Sequence, residues 1–135
     1  MLIELKDNVH SPKTVNLPAK CSNYPDKAPE NTKLLVAGWG SPGGKNAVLP
    51  TKLRCLNIEK ERCARAMPPI TADAFCAGKG DHKTRVGDSG GGLVLEATNE
   101  VFGVVQRGWL PDHMYPGIFT SVCSHLAWIK QVTGL

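Results

Sequence analysis

Apolar residues occur in short runs separated by glycine and proline. The runs are Leu34-Leu35-Val36-Ala37, Leu53 to Ile58, Leu93-Val94-Leu95, Val101-Phe102-Gly103-Val104-Val105 and Gly117 to Val122. Their length, their richness in Val, Ile, Leu and Phe, and their bounding turn residues predict strands. Ser41-Pro42-Gly43-Gly44 and Pro111-Asp112 predict turns between them. Strands in direct succession predict a mostly β architecture, closed into a barrel or stacked as a sandwich. Two stretches depart from this pattern. Glu59 to Met67 has acids early and Arg65 late and stops at Pro68-Pro69, which predicts a short helix aligned with its own dipole. Val122, Leu126, Ile129 and Val132 fall at helical spacing ahead of Gly134, which predicts a terminal amphipathic helix with a glycine cap. Asn16 to Thr32 lacks periodicity and reads as a connection, and no internal repeat is present.

Composition narrows the function classes. The chain has 135 residues, the size of one modest domain, and 41% of them are hydrophobic, which excludes global disorder. A net charge of +4 without a clustered stripe argues against nucleic acid as a partner. No apolar run approaches the roughly 20 residues of a membrane span, and the expectation is no membrane association. Charge at Glu4 and Lys6 makes the first residues unlike a secretory signal. The five cysteines contain no CxxC pair and suit a disulfide framework better than a zinc site. No metal and no cofactor are expected. A disulfide protein that shows no route into an oxidising compartment, and has an odd number of cysteines, leads us to expect further sequence before Met1.

Gly87-Asp88-Ser89-Gly90-Gly91 is the segment densest in chemistry. A nucleophilic serine needs a tight, glycine-supported turn that exposes its hydroxyl and aims nearby N–H groups at a developing oxyanion. The plain alternative is a glycine-rich hairpin with an incidental serine.

This segment resembles the active-site signature of the trypsin- and chymotrypsin-like serine proteases, and further landmarks of that family follow in order. They are Gly38-Trp39-Gly40 after an apolar strand, and Phe75-Cys76-Ala77-Gly78, which is similar to the strand entering the specificity pocket. Gly103-Val104-Val105-Gln106-Arg107-Gly108 resembles the strand that pairs with substrate. Tyr115-Pro116-Gly117-Ile118-Phe119-Thr120 resembles the next pocket wall, and Trp128-Ile129 the final helix. The resemblance implies an antiparallel β-barrel, the second of the family's two, followed by a C-terminal helix. Residues 1–135 would form a partial peptidase domain, in which Met1 to Leu5 resembles the strand just after the catalytic aspartate. The catalytic His and Asp would lie upstream of Met1, and this chain alone would not hydrolyse peptides. It would also expose apolar surface meant for the other barrel.

Roles follow from the same resemblance. Ser89 is the expected nucleophile, the N–H groups of Gly87 and Ser89 the oxyanion hole, and Asp88 the acid that holds an activated N-terminus. For Asp88 the alternative is a turn aspartate bonded to its own backbone. Lys83, Thr84, Gln106, Gly108 and Gly117 would shape the substrate pocket. Lys83, six residues before Ser89, stands at the pocket base, where it would disfavour basic side chains and suit acidic ones. Asp81 or His82 would take that position if the loop shifted, and Lys83 turned to solvent is the other alternative. Cys63 would pair with Cys76 and Cys21 with Cys123, leaving Cys55 unpaired. Leu34 and Leu95 stand at the positions of one family disulfide. Arg85 stands where a cysteine commonly precedes the serine, a loss expected to loosen the pocket wall.

The implied partners are protein or peptide substrates and serine protease inhibitors, and the implied location is extracellular. Lys79, His82, Lys83 and Arg85, and likewise Lys60, Arg62 and Arg65, form basic clusters that suit a polyanion such as heparin, although solvated charge is the ordinary explanation. His10, His82, His113 and His125 read as surface histidines. Two competing readings remain. One takes Gly87-x-Ser89-x-Gly91 as the nucleophile elbow of an α/β-hydrolase, with Asp112 and His125 completing it, and requires a parallel sheet. The other is a non-catalytic protease homologue that acts as a binding or regulatory protein.

Overall fold

The structure is a computed structural model that describes residues 1–10, 13–21, 32–43, 47–63, 69–107 and 115–135. Six strands are present among them: β1 (Lys33–Gly38), β2 (Arg54–Glu61), β3 (Ala74–Ala77), β4 (Gly92–Leu95), β5 (Glu100–Arg107) and β6 (Gly117–Ser121). They close into an antiparallel barrel in the order β1-β2-β3-β6-β5-β4. Closure satisfies every strand edge, which removes the exposed N–H and C=O rows of an open sheet. This is the all-β barrel with a C-terminal helix, and the parallel sheet that an α/β-hydrolase requires is absent from the described residues.

The barrel interior is filled by alternate strand residues. Leu34, Val36, Ile58, Phe75, Leu93, Phe102, Val105 and Phe119 are buried in one cluster. Phe75 stacks on Phe119 at 5.6 Å between ring centroids and meets Phe102 edge-on at 5.8 Å, both within the favourable range for aromatic pairs. Gly103 lies under the Phe75 ring, where a Cβ would stand 2.9 Å from Cζ. Leu34 is buried and Leu95 packs against the same cluster, so apolar contact occupies those two positions.

Two local expectations are corrected. The helix placed at Glu59 to Met67 begins as strand: Glu59 pairs with Lys33 on β1, and Lys60 with Ala77 on β3. Two neighbouring strands supply ladder partners there, and those partners outweigh a favourable order of charges along a helix. Residues 64–68 lie outside the described residues, as does the turn at Pro111-Asp112. Met1 to Leu5 forms no strand and is exposed, because the closed barrel offers no free edge to pair with. Conversely, β3 has four residues, all buried, too short a run to be read as a strand from hydrophobicity alone.

After β6 the chain forms a 3-10 turn at Cys123–His125 and then helix α1 (Leu126–Thr133). Gly134 ends the helix in the left-handed region at φ 75°, and its N–H donates to the Lys130 carbonyl at 2.9 Å, the αL cap that glycine favours. No residue of α1 is fully buried. Its half-buried Ile129 faces a groove shared with Met1, Leu2, Val104, Val122 and Trp128. Ile3, Leu5, Val9 and Trp39 are also exposed apolar residues.

The helix is tied down by covalent and polar links instead. Cys21 is bonded to Cys123, and Cys63 to Cys76, with Cα separations of 5.4 and 5.3 Å. Cys55 is free and exposed. The His125 Nε2 lies 2.8 Å from Asp73 Oδ2, joining the helix entry to the start of β3. The Asp73 carboxyl is held below its ordinary value of 3.8, first by the Thr71 side-chain hydrogen bond and then by His125. Its contribution to stability is complete above 3.8 and is lost as pH falls through the lowered folded value. Thermal unfolding followed at neutral pH and then below that value should show a steeper loss for the native chain than for Asp73→Asn. Equal losses would mean that the pair contributes nothing to acid stability.

Candidate active site

Ser89 is exposed on the turn that leads into β4. The turn is fastened to the neighbouring strand: Gly90 N–H donates to the Val105 carbonyl at 2.8 Å, and Val105 N–H to Gly91 at 2.9 Å. Gly91 N–H donates to the Asp88 carbonyl at 3.0 Å. Gly87 and Gly90 have φ of 98° and 86°, left-handed values that other residues adopt only with strain. The glycines beside Ser89 are therefore demanded by backbone geometry. Gly87 and Ser89 N–H groups have no acceptor among the described residues.

Asp88 organises the loop behind the serine. Its Oδ2 accepts from Arg85 N–H at 2.9 Å, and its Oδ1 accepts from Gly40 N–H at 2.9 Å. The first bond is local and the second reaches across 48 residues of sequence. Hydrogen bonds to a carboxylate are stronger than neutral ones. Gly38 and Gly40 make the approach feasible, since a Cβ at either position would collide with the Asp88 carboxylate. The two glycines around Trp39 thus form a cradle for that group, a role invisible in the sequence, where they serve only as a landmark.

Arg85 adds a third tie. Its guanidinium pairs with Asp81 at 3.3 Å, and its side chain is only 13% exposed. It also lies against Gly43, where a Cβ would stand 2.8 Å from Cζ. The residue at the cysteine position therefore links the Asp81 turn to the Ser41–Gly43 loop by packing and charge.

The residues expected to shape a substrate pocket are placed as follows. Lys83 and Thr84 are 5% and 1% exposed, so Lys83 does not turn to solvent, whereas Asp81 and His82 are exposed. Gly117 is buried opposite Ala77 in the β3–β6 ladder. Gln106 is exposed and donates to Thr120 Oγ1 at 3.3 Å. Gly108 lies outside the described residues. Of the first basic cluster, Lys83 is buried and Arg85 is partly buried and paired with Asp81, whereas Lys79 and His82 are exposed. In the second cluster Lys60 is on a strand and Arg65 is outside the described residues.

No described histidine is hydrogen-bonded to Ser89. His10 and His82 are exposed, and His113 lies outside the described residues. His125 is held by Asp73, an acid 52 residues away that no local pattern reveals.

The fold and this loop have close counterparts among known proteins. Residues 1–129 match the family model described as Trypsin. The chain is 37% identical over 125 residues to Trypsin-3 of Salmo salar, covering 87% of this chain and 49% of that protein. It is 38% identical over 106 residues to Kallikrein-9 of Homo sapiens, covering 73% of this chain and 42% of that protein. Among solved structures, neuropsin, a serine protease expressed in the limbic system of mouse brain, superposes with a TM-score of 0.74 at 30% identity. That match covers 89% of this chain and 53% of neuropsin. The chain spans about half the length of the relatives it matches. A six-stranded antiparallel barrel, a serine on a glycine turn backed by an anchored aspartate, and a family match over 129 residues agree, and the chain belongs to the trypsin- and chymotrypsin-like serine protease family.

Proposed function

We propose that this chain is the serine-bearing barrel of a secreted serine endopeptidase, with residues 1–135 a partial peptidase domain. The observation that carries the reading is the Ser89 turn, exposed and braced by the Asp88 carboxylate between Gly40 and Arg85. Ser89 Oγ attacks the scissile carbonyl, its proton passes to a base, and the amine leaves as the acyl-enzyme forms. Gly87 and Ser89 N–H groups face the oxyanion, and Asp88 holds them in position. Lys83, Thr84, Gln106, Gly108 and Gly117 shape the pocket for the peptide. The base and its orienting acid come from sequence outside this chain, consistent with a span of about half the relatives' length. Protein or peptide substrates and protease inhibitors are the partners. Two disulfides fit an oxidising, extracellular location.

Two measurements test this reading. Peptide hydrolysis by the 135-residue chain should not exceed that of Ser89→Ala; turnover abolished by that substitution would overturn the claim that a base must be supplied. A chimera that precedes this chain with the missing half of salmon Trypsin-3 should be labelled at Ser89 by a fluorophosphonate. A folded chimera left unlabelled would overturn the nucleophile assignment. The second reading, a non-catalytic homologue that binds without turnover, would then lead. The burial of a lysine at position 83 favours it, since this departs from the family where substrate would sit.

A further inference from the structure

The Arg85 side chain is mostly withdrawn from solvent, yet the carboxylate it pairs with, Asp81, is fully exposed. A guanidinium in such a place gives up hydration and stays only where charge and shape compensate the loss. The compensation comes from two sides. Asp81 supplies charge at 3.3 Å. The Gly43 backbone supplies a flat seat: a Cβ there would stand 2.8 Å from Arg85 Cζ, 3.0 Å from Nη1 and 3.2 Å from Nε. Three atoms of one planar group lie at nearly the same distance, so the guanidinium rests with its face across Gly43. No other residue type at 43 would leave room for it.

The backbone beneath this contact joins the same two segments. Ser41 N–H donates to the Val86 carbonyl at 2.8 Å, and Gly40 N–H to Asp88 Oδ1 at 2.9 Å. Within the second segment, Arg85 N–H donates to Asp88 Oδ2 at 2.9 Å and Asp88 N–H to the Arg85 carbonyl at 3.1 Å. Gly43 N–H donates to Ser41 Oγ at 3.2 Å, and its φ of 95° turns the loop to meet the guanidinium. Residues 40–43 and 85–88 therefore lie side by side, held at one end by the Asp88 carboxylate and at the other by the Arg85 side chain. Gly87 belongs to this pairing and Ser89 directly follows it.

We propose that Arg85 is a positioning residue for the Ser89 turn. Its guanidinium pins residues 85–88 to the Ser41–Gly43 loop, and the hold weakens as ionic strength rises. The proposal rests on the reading of Ser89 as a peptidase nucleophile only in giving the turn a catalytic use. Salt enters because one partner of the pair is exposed, and exposed charges are screened. The stacking on Gly43 is not screened, so salt loosens the turn without releasing it. Lysine at position 85 keeps the charge but has no planar group to lay across Gly43. Methionine keeps most of the stem and loses both charge and plane.

The test is amide hydrogen exchange on the 135-residue chain, which reads local opening segment by segment. Arg85→Met should speed exchange at Gly40, Ser41 and Asp88 by at least about threefold, the scale of a partly exposed ion pair, and leave β3 and β6 unchanged. Raising sodium chloride to about 1 M, where the Debye length is about 3 Å, should speed the same three amides in the native chain. Arg85→Lys should keep that salt response with weaker protection, and Asp81→Asn should abolish the response. Should Arg85→Met fail to fold, Asp81→Asn decides. No change at the three amides, an equal rise throughout the barrel, or the same salt response in Asp81→Asn would overturn the proposal. Fluorophosphonate labelling of the Trypsin-3 chimera separates the two readings. A labelled chimera that Arg85→Met slows supports both. Equal labelling of the two overturns the positioning role and keeps the nucleophile. An unlabelled chimera beside the local exchange response removes the peptidase reading and keeps the hold of Arg85 on the turn.

Discussion

Replacing Gly40 with alanine should destabilise the protein by about 3 kcal/mol and release the Ser89 turn. The new Cβ would overlap the Asp88 carboxylate, and the loop has little room to give. Gly87 already lies so near that its own Cβ would stand 3.1 Å from Gly40 Cα. The carboxylate must therefore leave, and with it go the bonds from Gly40 and Arg85 N–H. Hydrogen bonds to charged groups contribute about 1.5–3 kcal/mol each, and overpacking adds about 1–3 kcal/mol, partly relieved as the acid swings out. Urea denaturation measures the loss, and amide exchange at Asp88 and Ser89 should rise with it. Gly92→Ala is the control, because its Cβ would meet only Val101 Cγ2 at an ordinary 3.6 Å. A change under about 1 kcal/mol in Gly40→Ala would show that the carboxylate has another comfortable position.

Phe119→Ala should cost more, about 3–5 kcal/mol. Phe119 is completely buried, stacks on Phe75 and sits on β6 where that strand bridges β3 and β5. Truncation would remove aromatic contact from the centre of the barrel and leave a cavity that the closed strands cannot collapse to fill. For a domain whose total stability is about 5–15 kcal/mol, this is a large share. Phe119→Leu, which keeps most of the volume, should cost less than half as much. The two midpoints of chemical denaturation, with near-UV circular dichroism for aromatic packing, measure the difference. A loss below about 1 kcal/mol for Phe119→Ala would mean that the cluster repacks.

The legible parts of this molecule are those whose physics is local. Leu34 and Val36, two apart on a strand, face inward because side chains alternate across a pleat. Gly134 ends the helix because the left-handed residue after a last turn favours glycine. Ser89 stood out because a serine between glycines at 87 and 90 implies backbone angles that only glycine adopts readily. Where local preferences were nearly balanced, they misled. Glu59 to Glu61 has charges that suit a helix, but β1 and β3 take its backbone hydrogen bonds. Ala74–Ala77 became a strand because it lies between β2 and β6, with little help from its own β preference.

Strand positions, the helix cap and the candidate nucleophile thus follow from the order of residues, because each depends on neighbours within a few positions. The Asp88 cradle, the His125–Asp73 pair and the buried Lys83 and Thr84 beside Gly117 do not. Each joins groups that are distant in sequence, and only barrel closure brings them together. Closure also sets the sign of their effects: the same aspartate, histidine or lysine would be solvated and unremarked on an open surface. Inside the loops of a closed barrel, each must find a partner of matching charge or geometry.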